Sequence, residues 1–506
     1  MPSDTFRALR DSVLSKRPVL NELIQKRGQK SLYDYTKDYI SVNLNPPIQQ
    51  RQDELVGTFR KEVAKLLGDE VAQKAAKQLE RYYYVSTADH HGPICHPFFI
   101  NANLLLAAPY KEINDPDLQY VIVLACASIS FRNSSFPRGL LFHNPADKKF
   151  EVERVAFFPA SMRACPVFNW RAFVQEEIET IKRDISNKVK AKKMAPMVGT
   201  KINSLMDEVY LQPDVLACKT FSEQVTKTNY MLWQKFFGGA AQTPANLICL
   251  EQETLVMQLL LDYHLEQDTI LNHVLFDVSY DPLMQQYFEG VMGAFSIKDH
   301  WGSYLFWAIP PGQKYRVQLW KQGNKLVTDD GSYQLELTPA ALRVAMEQRE
   351  IFPTTLLDFF VLSFYYGLKC VGGFNQINYL TDMKNAYIKM NVDRGNYRSI
   401  EVCARAQTKE MNDGFTLAFV AGSDQKTYAA TGLDFILYGD TTTWPRLVET
   451  IKQISVEEAF NPLLPELYRV IYNEKDRQPE LSAITDEQIM QLTGLDKKIT
   501  PCAQVG

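Results

Sequence analysis

Apolar residues recur at three- and four-residue steps through the first part of the chain. Residues 4–14 read as one amphipathic helix, and residues 53–67 and 69–82 as a pair, with Val56, Phe59, Val63, Leu66 and Leu67 on one face. Residues 1–81 are therefore expected to form a helical N-terminal region. Within it, Val42-Asn43-Leu44-Asn45-Pro46-Pro47 reads as an extended linker, because each proline disfavours helical backbone in its predecessor.

At Tyr82 the period changes. Residues 82–87, 120–130, 140–143 and 152–158 are β-prone runs, and residues 98–108 suit a helix between the first two. Strand, helix, strand is the pattern of a crossover in a parallel sheet, so residues 82–164 should form the first part of an α/β core. Residues 170–193 then read as a long charged helix with an apolar stripe through Phe173, Ile178, Ile181 and Ile185. Its basic end, residues 188–193, fits a solvated C-terminus favoured by the helix dipole. Helices are expected to continue through residues 200–290, making 165–290 a helical insertion. A second β-rich patch covers 304–309, 315–320 and 332–337, with Thr328-Asp329-Asp330-Gly331 as turn chemistry. Residues 339–390 read as helical around a Gly372-Gly373 break, and 400–403 and 415–420 as strands. Residues 291–470 should complete the core, and 471–506 form a helical tail with a capping box at Thr485-Asp486-Glu487-Gln488. The predicted fold class is α/β, a Rossmann-like core with a helical N-terminal region and a large helical insertion.

Composition narrows the picture. The chain has 506 residues, too many for one ordinary core, and its 46% hydrophobic content is that of a folded protein. A formal charge of −4 gives no global pull toward nucleic acid. None of the eight cysteines shows the spacing of a zinc knuckle or redox motif, and Cys126, in an apolar run, is expected to pack as a small hydrophobe. No run reaches the roughly 20 apolar residues of a membrane span; the most apolar, residues 356–368, reads as a buried helix. With no apolar signal core in residues 1–16, a cytoplasmic protein is expected, with a small-molecule partner and neither membrane nor nucleic acid.

Three of the seven histidines, His90, His91 and His96, fall close together, and Asp89 precedes them. Thr87-Ala88-Asp89-His90-His91-Gly92 begins where a β-run ends, the place where open α/β sheets bind ligands. On an extended segment Asp89 and His91 face one way and His90 the other. Gly92-Pro93 should turn the chain into a helix whose first N–H groups are free for an anion. Three chemistries fit: a divalent metal on Asp89, His91, His96 and His143; a neutral histidine as general acid or base; or a nucleotide phosphate in the turn. Downstream, the loop with Arg132, Ser134 and Arg138 offers bidentate and hydroxyl contacts to an oxyanion. In Gly372-Gly373-Phe374-Asn375-Gln376-Ile377-Asn378-Tyr379, the paired glycines let backbone approach a ligand or cap a helix, and Asn375, Gln376 and Asn378 add amide groups. Lys298-Asp299-His300-Trp301-Gly302 has similar ingredients, whereas His264 and His273 read as structural.

Two of these segments, in order, resemble the putative cysteine ligase family of bacillithiol biosynthesis. In that family a strand enters a Thr-Gly-Gln-Gln-x-Gly turn, followed by Gly-Pro and a helix. Here Thr87-Ala88-Asp89-His90-His91-Gly92 is similar in position. The family's later Gly-Gly-Pro-Gly-Glu-Ile-x-Tyr is matched by Gly372-Gly373-Phe374-Asn375-Gln376-Ile377-Asn378-Tyr379, after Pro353. The chain departs from it at Asp89-His90-His91 and at Asn375-Gln376. The resemblance implies a Rossmann-like core, a helical insertion and a nucleotide-binding cleft; the cofactor stays open between a nucleotide, ATP or ADP, and a divalent metal. The triplet is also similar to that of the Asp-His-His phosphoesterases, manganese hydrolases that need a further His and paired aspartates on an upstream strand. Residues 1–80 here carry no histidine.

The expected function is an enzyme acting on a small polar or anionic metabolite, a nucleotide-using ligase or transferase centred on Asp89, His90, His91 and His96. The alternatives are a metal-dependent hydrolase built on the same cluster and a non-catalytic metabolite-binding protein.

Overall fold

The computed structural model describes residues 3–43, 48–146, 149–237, 245–423 and 426–504. Residues 44–47, which hold the prolines of the expected linker, lie outside the described residues. The chain is mixed α/β around a parallel four-stranded sheet. Along the chain the first strands are β1 (Tyr84–Ser86), β2 (Tyr120–Ala125), a separate antiparallel hairpin of β3 (Gly139–Ala146) and β4 (Lys149–Ala156), and β5 (Asn246–Glu251). Short strands β6 (Phe295–Ser296), β7 (Trp301–Gly302), β8 (Phe306–Ala308), β9 (Val317–Gln318), β10 (Trp320–Gln322), β11 (Lys325–Val327), β12 (Gln334–Glu336) and β13 (Ile351–Pro353) form small antiparallel sheets. They are followed by β14 (Lys369–Val371), β15 (Phe419–Ala421), β16 (Thr427–Ala429) and β17 (Ala503–Gln504).

The central sheet has the order β14-β1-β2-β5, all neighbours parallel. The chain lays β2 beside β1 and β5 beside β2, then returns to place β14 on the other side of β1. Every residue of β2 is buried, which explains its unbroken apolar run: helices and loops cover both faces.

Five helices precede the sheet: Ser3–Ser15, Pro18–Arg27, Leu32–Tyr39, Gln49–Leu67 and Asp69–Tyr82. The last ends at Tyr83, whose left-handed φ of 52° turns the chain into β1. One turn earlier, the buried Gln78 fixes the start of β2. Its Oε1 accepts the N–H groups of Gln119 and Tyr120, each at 2.8 Å, and its Nε2 donates to Tyr120 O at 2.7 Å.

The structure corrects several expectations. The helical insertion is shorter than 165–290: its helices run from Gln175–Lys190 to Phe221–Lys235, and β5 then enters the central sheet. Asn246-Leu-Ile-Cys-Leu-Glu251 passes directly into the helix Gln252–Tyr263, so strand and helix form one apolar run in which the change of period is hidden. Residues 400–403 belong to the helix Tyr397–Arg405, which buries Val402 and Cys403 on one side. The Gly372-Gly373 break is not flanked by helices on both sides, since β14 immediately precedes it. The tail is not wholly helical, because β17 pairs with β15. All eight cysteines are free thiols. Among the described residues no helix is long and apolar enough to cross a membrane.

The Gln78 contacts give a stability prediction. Gln78→Leu leaves the buried Tyr120 N–H without its acceptor, at about 1–3 kcal/mol, while Gln119 N keeps Asp117 O and Tyr120 O keeps the Tyr110 hydroxyl. Denaturant unfolding should show a loss of about 1 kcal/mol or more, and an unchanged midpoint would contradict this role.

Candidate functional site

A cleft of about 700 Å³ lies beyond the carboxyl ends of the central strands. Thr87, Ala88, Asp89 and His90 enter it after β1, Cys126 and Ser128 after β2, Gln252 after β5, and Gly373 and Phe374 after β14. Phe98, Trp301, Trp307, Phe359 and Tyr379 supply aromatic wall. The segment after β1 stays extended because it zips to the end of β2: Cys126 N donates to Asp89 O at 2.9 Å and His91 N to Cys126 O at 2.8 Å.

Asp89 is 3% exposed. Its Oδ2 accepts from Asn103 Nδ2 at 2.8 Å, while the buried Oδ1 has no hydrogen-bond partner. Burial pushes its pKa up to about 8, against the pull of the Asn103 amide, and Asp413 pushes it the same way. At neutral pH the carboxyl is therefore largely protonated and able to donate.

His90 and His96 are both held neutral, with pKa values lowered by burial to about 4. Their partners set opposite tautomers. Asn133 Oδ1 accepts the backbone N–H of Ser135 at 3.0 Å, which identifies it as the oxygen; His90 Nδ1, 3.1 Å from the same atom, must then carry the proton. The lone pair of His90 is left on Nε2. His96 caps the helix Pro97–Ala107 with Nδ1 accepting from Phe98 N at 3.4 Å, so its proton sits on Nε2. One ring offers a base and the other a donor.

The glycine pair serves by its lack of bulk, and neither residue has a positive φ. A Cβ on Gly372 would lie 2.2 Å from Gln376 Cδ, and one on Gly373 3.0 Å from Asp413 Oδ2. The space at Gly372 lets Gln376 fold back and donate to Thr87 Oγ1 at 2.6 Å, joining the ends of β1 and β14. Asn375 lines the cleft with a buried, unpartnered Oδ1. Gly372 sits behind it, and Asn378 is turned back to Phe374 O at 3.0 Å.

Other expected site residues are placed elsewhere. His91 is fully buried, with Nε2 3.1 Å from Ser222 O and Nδ1 3.9 Å from Cys249 Sγ. Gly92 packs against Pro137, which a Cβ would approach to 2.7 Å, and its carbonyl accepts from Asn229. Arg138 is buried and donates to Phe158 O at 3.0 Å, Arg132 is exposed, and only Ser134 and its neighbours from that loop reach the cleft. His143 bonds Asp434 at 2.7 Å and stacks on Phe150. The expected metal set of Asp89, His91, His96 and His143 is thus dispersed. Among the described residues no three His, Cys, Asp or Glu side chains gather as metal ligands.

Several cleft residues were not anticipated. Asp413 is 7% exposed with an unpartnered Oδ1, and burial pushes its pKa up to about 7. It arrives through a bridge between Gly372 and Met411, which no local pattern signals. Trp307 and Arg316 come from the small strands and loops after residue 300. Cys126, expected in the core, is half-buried at the cleft wall, its thiol 3.1 Å from Ser128 Oγ. Trp301 and Gly302 come from the run noted around His300.

No protein-family model matches this chain, and no curated protein matches it.

The raised pKa of Asp89 has a sign that can be checked. Between about pH 4 and pH 8 the folded state holds a proton that the unfolded state releases, so this group lowers stability progressively as pH rises. Asp89→Asn removes that dependence. Its melting temperature relative to wild type should climb from pH 5 to pH 8; a constant difference would show Asp89 to be ionised throughout.

Proposed function

We propose that this protein is an enzyme acting on a small polar metabolite bound at the carboxyl ends of β1 and β14. The observation that carries the reading is the cleft of about 700 Å³ at the carboxyl ends of the four parallel strands, whose lining brings Asp89, His90, His96 and Asp413 together. Counted in chain order, the central strands run 3-2-1-4, the order of a Rossmann-like core, and the cleft sits where that order reverses. This supports a Rossmann-like reading and a ligand at the switch point.

In this reading His90 Nε2 takes a proton from the attacking group of the substrate. His96 Nε2–H and the protonated Asp89 carboxyl hydrogen-bond the oxygen on which negative charge develops. Burial keeps all three neutral before the reaction, so the cleft binds a polar substrate without first stripping ions of water. A ligase or transferase using ATP or ADP fits the same place. The Gln376 N–H, at the start of the helix Gln376–Asp393, would hold one of its phosphates, with Gly373 giving close access. When bound, the nucleotide supplies an activated phosphoryl group.

The test pairs binding with turnover. Thermal-shift measurements with ATP and ADP, with and without magnesium or manganese, should show stabilisation of roughly 2.7 kcal/mol at about 100 Kd. Once a turnover assay follows from the ligands found, His90→Gln should lower kcat by about 10²-fold or more with ligand binding retained. Wild-type turnover in both His90→Gln and Asp89→Asn would refute an enzymatic role for this cluster and leave a metabolite-binding protein.

A further inference from the structure

We propose that Arg316 is the anchor for an oxyanion, the carboxylate or phosphate group of the metabolite that the cleft takes; this rests on the reading of the cleft as a small-molecule site. Arg316 is a cleft-lining cation. One guanidinium nitrogen, Nη1, donates to Ser128 O, and the group lies over the Trp307 ring with its carbon 4.2 Å from the ring centroid. Among the described residues its other N–H groups find no acceptor, and it forms no ion pair. Arg316 is half-buried with its free N–H groups still reached by solvent, and a partly desolvated guanidinium gains by pairing with a carboxylate or phosphate. Here the position of that partner is open to the cleft.

The surroundings show why the protein does not supply the anion. Glu253 is a carboxyl close enough to act on Arg316 through its field. Both its oxygens are occupied: Oε1 accepts from Ala127 N at 3.0 Å and Ser128 N at 2.7 Å, and Oε2 from Ala127 N at 2.9 Å. That cradle fixes Ser128, whose carbonyl in turn fixes Arg316 on the face of Trp307. The chain Glu253, Ser128, Arg316 thus holds a planar fork in place before any ligand arrives, the geometry suited to bidentate binding of a carboxylate or phosphate. The exposed Arg132 adds a second positive field at Arg316. Three carboxyls line the cleft, Asp89, Asp413 and Glu466, and burial raises the pKa of each, which reduces the negative charge that an incoming anion meets. The metabolite is therefore acidic: an oxyanion at Arg316 and a reacting group at His90.

The probes are inorganic phosphate and succinate, titrated by calorimetry and thermal shift into wild type, Arg316→Gln, Arg316→Ala and His90→Gln. Glutamine keeps a donor for Ser128 O but removes the charge and the fork. Wild type should bind at least one probe, and Arg316→Gln should weaken it by about tenfold or more, with His90→Gln close to wild type. Preference for phosphate or for succinate distinguishes the two forms of the anion. The proposal is overturned if wild type binds neither probe, or if a folded Arg316→Gln, with unchanged circular dichroism and melting, binds as wild type does. The failures are separable: anion binding lost in Arg316→Gln without any His90-dependent turnover sinks the enzyme reading and leaves this site standing. His90-dependent turnover of an uncharged metabolite does the reverse.

Discussion

The structure depends on β1, a strand of three residues that pairs on both sides. Val85 lies opposite Cys370 and Ser86 opposite both Val371 and Val123, all deep in the core. Beyond the strand the same backbone keeps binding both neighbours, with Thr87 N on Val371 O and then Asp89 and His91 on Cys126. A buried backbone this short has no freedom to slip, because a shift of one residue would reverse which side chains face the interior. Thr87, Asp89 and His90 are positioned by that pairing more than by contacts of their own. Ser86 is gripped further by Asn412, whose Nδ2 donates to its Oγ at 2.9 Å, and this ties the segment carrying Asp413 to the same strand.

Chemistry in the cleft is set mainly by burial. Charged neighbours play a lesser part: desolvation dominates for Asp89, Asp413, His90 and His96 alike, and it favours the neutral form of each. Hydrogen bonding then decides where the remaining protons sit. Asn133 and the start of the helix Pro97–Ala107 give two histidines of similar acidity opposite polarity toward a ligand. His91, next in sequence to His90, has no share in this, because its ring is buried against Ser222 O and Cys249. The guanidinium of Arg316 is the counterpoint, a permanent charge in a site where other groups have shed theirs.

How much of this was legible in the sequence follows from the range of each signal. The helices of residues 1–81 and the run from Tyr84 to Ala107 are local patterns, and so is a histidine cluster at a strand end. The glycine pair was visible as a place needing close approach, but its partner strand β14 was not, since three residues carry no periodicity. Strand β5 was hidden by the apolar helix that follows it. Asp413 and Arg316 stand alone in sequence: the bridge of Met411 to Gly372 brings one to the cleft, and the contact of Arg316 with Ser128, 188 residues away, the other. Cys126 was misplaced because an apolar run continued in appearance past the last buried residue of β2. The tautomers of His90 and His96 follow from single hydrogen bonds that no residue pattern encodes.

The pairing of Tyr84 with Lys369 has a consequence for how the molecule is made. On a ribosome, β1 emerges long before its outer neighbour exists, so one edge of the nascent core stays unpaired while more than half of the polypeptide is still being synthesised. Contacts of such long sequence separation slow folding, and an unpaired apolar edge is open to aggregation in the interval. The five preceding helices and β2 can assemble early and shelter β1 from one side only. Closure of the sheet, and with it the joining of Thr87 to Gln376, is therefore a late event in biogenesis, and a nascent chain stalled before β14 would hold the histidine segment without the wall that makes it a site.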